Sequence, residues 1–266
     1  MADATPSANA AVSGNLPLYN NPVPLNKDRH KGKGLKFSDR QFDFLKDTHF
    51  VPVTFGEFGS VASRFPILFL GENKTAVAAM GLRKGQNLFV DPQTGRFEQF
   101  TYLPAFVRRY PFVSASHGQE KDRFTVCVDE GSDLYSDKPD VHFFDDKGEL
   151  TDFTQRAIDY VRRFEADVRQ TQEFTARCEE LGLLTQQESK FQPRNEKGEP
   201  VGEPQVVATY FGIDGGKLME LDTETFAGLR NNGYLGGMYA AMLSQLNWDP
   251  LIQRAAAQDT AQAAQA

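Results

Sequence analysis

Between residues 65 and 90 the chain alternates short apolar runs with turn residues. FPILFL (65–70), TAVAAMGL (75–82) and NLFV (87–90) are separated by GENK and RKGQ, and DPQTG follows. Gly, Asn, Asp and Pro at those breaks mark turns. Connections this short join only antiparallel neighbours, because a parallel crossover needs a dozen residues or more. The pattern predicts a meander. FTVCVD (124–129) and VHFFDD (141–146) predict two further strands, joined by the acidic loop DEGSDLYSDKPD.

The period then changes from two to 3.6. Phe153, Ala157, Val161, Phe164, Val168, Thr171, Thr175, Cys178 and Leu181 recur in alternating steps of three and four, which is one face of a helix beginning near Thr151 or Asp152. Gly182 stands where a C′ glycine would end it. At 1.5 Å per residue such a helix spans roughly 45 Å. Its apolar face weakens to Thr and Cys beyond Val168, which predicts that the second half projects or packs on a partner.

The segment 184–205 is polar, carries three prolines and reads as a long loop. QVVATYFGID-GG-KLMELD (205–222) reads as a hairpin turning at Asp214-Gly215-Gly216. Asp222 or Thr223 caps a short helix through about Arg230, ended by Gly233. YLGGMYAAMLSQL (234–246) is a last apolar helix, closed by Asn247 and the Asp249-Pro250 break. The ends have a different composition. Residues 1–24 form an Ala/Asn/Pro/Ser-rich arm expected to be flexible, and the Ala/Gln-rich tail 253–266 is expected to be mobile. Between them, 25–252 reads as a single α+β domain: an antiparallel sheet carrying one long helix and a C-terminal helical pair.

Composition narrows the function classes. The chain has 266 residues, 40% hydrophobic, with 22 Phe, enough to bury a core. A net charge of -7 opposes broad attraction to nucleic acid or an anionic membrane surface. No segment reaches the length of a membrane-spanning helix, and the amino terminus lacks the basic and apolar regions of a Sec signal. Synthesis in the cytoplasm is expected, with signal-independent export to the cell surface left open. Cys127 and Cys178 form no metal or disulfide pattern and read as reduced thiols.

One ordered set of segments is familiar. NPVPLNKDRHKGKGLKF is followed by FVPVTFGEF, FPILFL, LPAFVRRYPF and finally LDTETFAGLRNNGYLGGMYAAMLSQLNWDPL. From Asn21 to Leu251 the chain resembles the SapC family of bacterial proteins. The resemblance implies an association with a bacterial surface layer, and genes encoded near those of outer-membrane uptake receptors and flavin-dependent halogenases, a nutrient-acquisition context. It implies no agreed catalytic residues.

Four groups of residues are candidates for chemistry. Arg108 and Arg109, with Tyr110, close a short helix in TYLPAFVRRYPF that Pro104 opens and Pro111 ends. An arginine fork binds carboxylate or phosphate bidentately, but capping and packing also account for these residue types. His30 sits in the basic run NKDRHKGKGLK (26–36), suited to phosphate or an acidic protein surface and otherwise a solvated loop. The run lacks aromatics for stacking bases. His117, His142 and Asp145, among nearby acidic residues, supply two imidazoles and a carboxylate, as in a non-haem iron triad, although the spacing fits no ligand signature. His117 is read in a loop and His142 on a strand. Gly236 and Gly237 are read as permitting close helix packing rather than as a phosphate loop.

These readings favour a non-enzymatic binding or accessory protein with a protein or peptide partner, no nucleic acid, no membrane insertion and no cofactor. The oligomeric state is left open. The rival is a metal-dependent enzyme, with iron or another divalent cation held by His117, His142 and Asp145. A structural surface-layer subunit ranks third, since the chain is neither Thr-rich nor repetitive.

Overall fold

The computed structural model describes residues 18–117, 120–192 and 199–263. The strands are β1 (Pro22–Pro24), β2 (Gly34–Leu35), β3 (Phe50–Pro52), β4 (Ile67–Leu70), β5 (Thr75–Ala79), β6 (Phe112–His117), β7 (Glu120–Asp129), β8 (Tyr135–Ser136), β9 (Val141–His142), β10 (Leu184–Phe191) and β11 (Gln205–Ile213). The helices are α1 (Phe58–Val61), α2 (Ala105–Arg108), α3 (Asp152–Glu180), α4 (Gly215–Met219), α5 (Thr223–Asn231), α6 (Tyr234–Ser244) and α7 (Trp248–Ala263). Every strand pairing is antiparallel, so the chain is α+β as its pattern predicts.

The described chain divides into two compact units. One holds the residues up to Phe44 together with Arg109–Glu165, and the other holds Leu45–Arg108 together with the residues from Ala166 on.

The first unit contains two three-stranded sheets, ordered β1-β7-β6 and β8-β2-β9. Its core joins Leu35, Phe112, Val128, Phe143 and Val161, the last supplied by the first half of α3. Thr151 Oγ1 accepts from the Thr154 amide at the start of that helix, as the sequence predicts for its N-terminus. The expected flexible arm meets this unit: residues 1–17 lie outside the described residues, but Tyr19 is buried and β1 pairs with β7.

The second unit contains a five-stranded sheet ordered β10-β11-β4-β5-β3. β4 and β5 are the two expected meander strands, and α6 packs against β4 and β11. NLFV is not the third strand: Val90 makes only an isolated bridge to Phe97, and β3 takes the place beside β5. The predicted hairpin at Asp214 is also absent. The Asp214 carboxylate accepts from the amides of Gly216 and Lys217 and caps α4, while β11 pairs back with β10. β10 therefore replaces the first part of the loop expected over 184–205, of which 193–198 lie outside the described residues. It borders the sheet and presents Glu188 and Lys190 to solvent, so it shows no apolar alternation.

The second half of α3 does not project. Thr171, Phe174, Thr175 and Cys178 are all buried, with Phe174 against the rings of Phe55, Phe58, Phe69 and Tyr234. Gly182 follows with φ of 65°, the left-handed conformation glycine supplies at a helix end. Pro250 does not close the C-terminal helices but lies in the first turn of α7, where its missing N–H costs nothing. The tail expected to be mobile continues this helix to Ala263, with Ala255 buried and Asp259 paired to Arg83.

Candidate functional site

The two arginines of the LPAFVRRYPF box diverge. α2 is held at its start by Glu57, a buried carboxylate that accepts from the Thr54 amide, the Tyr102 hydroxyl and the Ala105 amide. Arg108 lies on this side. Its Nη2 donates to the Tyr102 hydroxyl at 2.9 Å and stands 4.0 Å from Glu57 Oε2. Arg109 is buried in the other unit. Its guanidinium lies 4.3 Å from the centre of the Phe164 ring and 5.7 Å from that of Tyr19, with Nη1 3.4 Å from Glu165 Oε1. The Ser114 hydroxyl donates to the same Glu165 oxygen. Both side chains have partners in the chain.

Tyr110 stacks on Phe44 with ring centres 3.9 Å apart, and burial pushes its hydroxyl up to about 12. Burial likewise raises Tyr19 to about 12, against the pull of Arg109, while its hydroxyl donates to the Phe112 carbonyl. Both phenols therefore stay protonated near neutral pH.

The basic run 26–36 turns out to be half of a paired structure. β2 lies between β8 and β9, so the run docks on the acidic loop that the sequence shows as a separate feature. Arg29 forms a fork on Glu130, Lys33 pairs with Asp137, and the Asp140 carboxylate accepts from the Phe37 amide. His30 is fully buried between these charges. Its Nδ1 contacts the backbone of Asn26 and its Nε2 stands 3.3 Å from Glu130 Oε1, with Tyr135 and Phe143 edge-on to the ring. Burial lowers the His30 pKa, outweighing the Asn26 backbone and Glu130. The Arg29 bond holds Glu130 below the usual carboxylate range.

His142 is exposed on β9, and the Asp145 carboxylate accepts from the Lys147 and Glu149 amides to close a turn. His117 is not in a loop but at the end of β6, paired with Glu120 of β7, and its side chain lies outside the described residues. Among the described residues no three metal-ligating side chains converge. No helix among them is long and apolar enough to cross a membrane.

Two features were not read from the sequence. The first is a stripe on α6 and the turn after it. Gly237, Met238, Ala241 and Ser244 are buried, whereas Tyr239, Leu243 and Leu246 follow at steps of four and three with exposures of 41, 63 and 76%. A helix apolar on every side is expected to be covered on every side. The second is a cleft of about 590 Å³ between the Asn87–Glu98 segment and α7. The apolar wall is Phe89, Pro92 and Phe97. At the polar end Arg254 lies over the Phe89 ring at 4.6 Å and donates to Glu98. Burial would raise the Glu98 carboxyl, but Thr101 and Arg254 hold it below its ordinary value.

Comparison with known proteins gives one finding. The SapC family model matches residues 25–251. No curated protein and no solved structure matches the chain.

Proposed function

The chain belongs to the SapC family, and we propose that it is a non-enzymatic binding or accessory protein whose partner is a protein or peptide. The observation that carries this reading is the uncovered stripe Tyr239, Leu243 and Leu246. Leaving two leucines and a tyrosine of one helix face in water forgoes about 1.5–3 kcal/mol for each side chain that a partner would bury. An apolar helix face of this kind fits a complementary apolar surface, read through anchors at i, i+4 and i+7. The family resemblance sets the context: a cell-surface layer, or uptake of nutrients across the outer membrane.

The internal engagement of the charged residues supports the same reading. Arg109, Glu57, Arg29 and Glu130 all serve partners in the chain.

The test is capture of the tagged chain from its native cells, with and without Leu243→Asp and Leu246→Asp. One protein held stoichiometrically by the unaltered chain and lost by the double variant, at equal thermal stability, is the expected result. A partner retained by the double variant sinks the surface reading. So does a stoichiometric metal lost on replacing His142, which revives the metal-dependent enzyme.

A further inference from the structure

We propose that the cleft between the Asn87–Glu98 segment and α7 binds a small amphipathic organic anion, with a carboxylate or sulfonate head and an aromatic or aliphatic body. The inference is independent of the α6 stripe, which none of the cleft residues shares.

The volume, about 590 Å³, lies in the range of small-molecule sites, roughly 300–1,000 Å³. Phe89, Pro92 and Phe97 give the wall that an apolar body needs. The sign of the head follows from which polar groups are already engaged. Both Glu98 oxygens accept from Arg254, and Oε2 accepts from Thr101 as well. Asp91 Oδ1 accepts from the amides of Gln93 and Thr94. Asn87 Oδ1 accepts from the Phe89 amide, and Gln258 Oε1 accepts from Gln86.

These lining acceptors are engaged, and so is the Asn87 amide nitrogen, which donates to the Leu45 and Thr48 carbonyls, but Arg254 and Gln258 keep donors to spare. Arg254 uses Nη2 alone, leaving Nη1 and Nε without a protein partner, and the Gln258 amide nitrogen has none either. A head that brings its own acceptors completes these groups, and an arginine fork suits a planar or tripodal anion. A cation would meet carboxylates already bonded. Arg254 is also prepositioned, since its stacking on Phe89 and its bond to Glu98 fix the guanidinium plane before a ligand arrives.

The probe is 8-anilinonaphthalene-1-sulfonate, titrated by fluorescence into the full chain. Saturable binding at one site is expected, displaced by decanoate and not by decyltrimethylammonium. Arg254→Gln should weaken it roughly ten-fold, the loss of one charge-assisted bond. Ala257→Trp, at an exposed helix position that lines the cleft, should abolish it by filling the space without disturbing the Glu98 pair. Leu243→Asp should leave it unchanged. Three results overturn the proposal: binding that survives Ala257→Trp, binding removed by Leu243→Asp, or equal displacement by the cationic amphiphile. An absence of saturable binding overturns it too.

Discussion

Arg109 lays its guanidinium over the Phe164 ring, 4.3 Å from the ring centre. The same group reaches Glu165, the next residue along the helix, so one turn of α3 supplies both a flat apolar surface and a counter-charge. Arg109→Ala is expected to destabilise the protein by roughly 2–4 kcal/mol. That is below the full cost of breaking a buried pair because Glu165 is partly exposed. Arg109→Lys should lose part of this, since an ammonium restores the charge without the planar contact. Urea denaturation of the two variants checks the order.

Glu57 tests the α2 anchor. Glu57→Ala leaves the Thr54 amide, Tyr102 hydroxyl and Ala105 amide without their acceptor in a buried setting, at about 3 kcal/mol or more. Glu57→Gln keeps one acceptor oxygen and should cost about half as much. Equal losses in the two variants would show that the negative charge, not the hydrogen bonds, holds the segment.

The buried histidine gives a pH dependence of definite sign. Burial favours neutral His30 in the folded chain, and unfolding returns it to about 6.5. Below that pH the unfolded state takes up a proton that the folded state resists. Stability therefore falls as the pH drops from about 6.5 toward the folded value, and levels off beneath it. His49 is also held low, by burial and by Lys84, and adds slope over the same interval. Urea melts between roughly pH 7 and 5 should show a shallower decline in His30→Gln than in the unaltered chain. An unchanged slope would mean that His30 is already protonated beside Glu130.

The two thiols should be silent. Burial pushes Cys127 up to about 11 and Cys178 up to about 12. At pH 8 the more acidic of them is thiolate for only about one part in a thousand. Ellman's reagent is expected to modify neither in the folded protein and both in guanidinium. Rapid labelling without denaturant would show local opening around β7 or the end of α3.

How far the sequence could be read depends on how locally each feature is encoded. α3 was legible because its periodic face, its Thr151 start and its Gly182 end all lie within one run. Phe174 occupies the same stripe, three residues after Thr171, and counting it shows that the face does not thin. β10 was illegible because a border strand has one partner and little burial, so no apolar alternation marks it. The arginine pair was visible in the sequence, but its partners were not: Glu165 lies 56 residues from Arg109, and a single sequence holds no sign of that pairing. The cleft was hidden for another reason. Arg254 belongs to an Ala/Gln-rich tail whose composition suggests mobility, and only its place in α7, with Pro250 in the first turn, makes it a wall.

The adjacent glycines of α6 sit in unlike surroundings. A Cβ on Gly236 would meet nothing within 4 Å, so alanine there is free to appear and should favour the helix by about 0.5–1 kcal/mol. A Cβ on Gly237 would fall 2.2 Å from Cε2 of Phe55. Position 237 is thus tied to position 55: a side chain arises at one only when the ring is lost from the other.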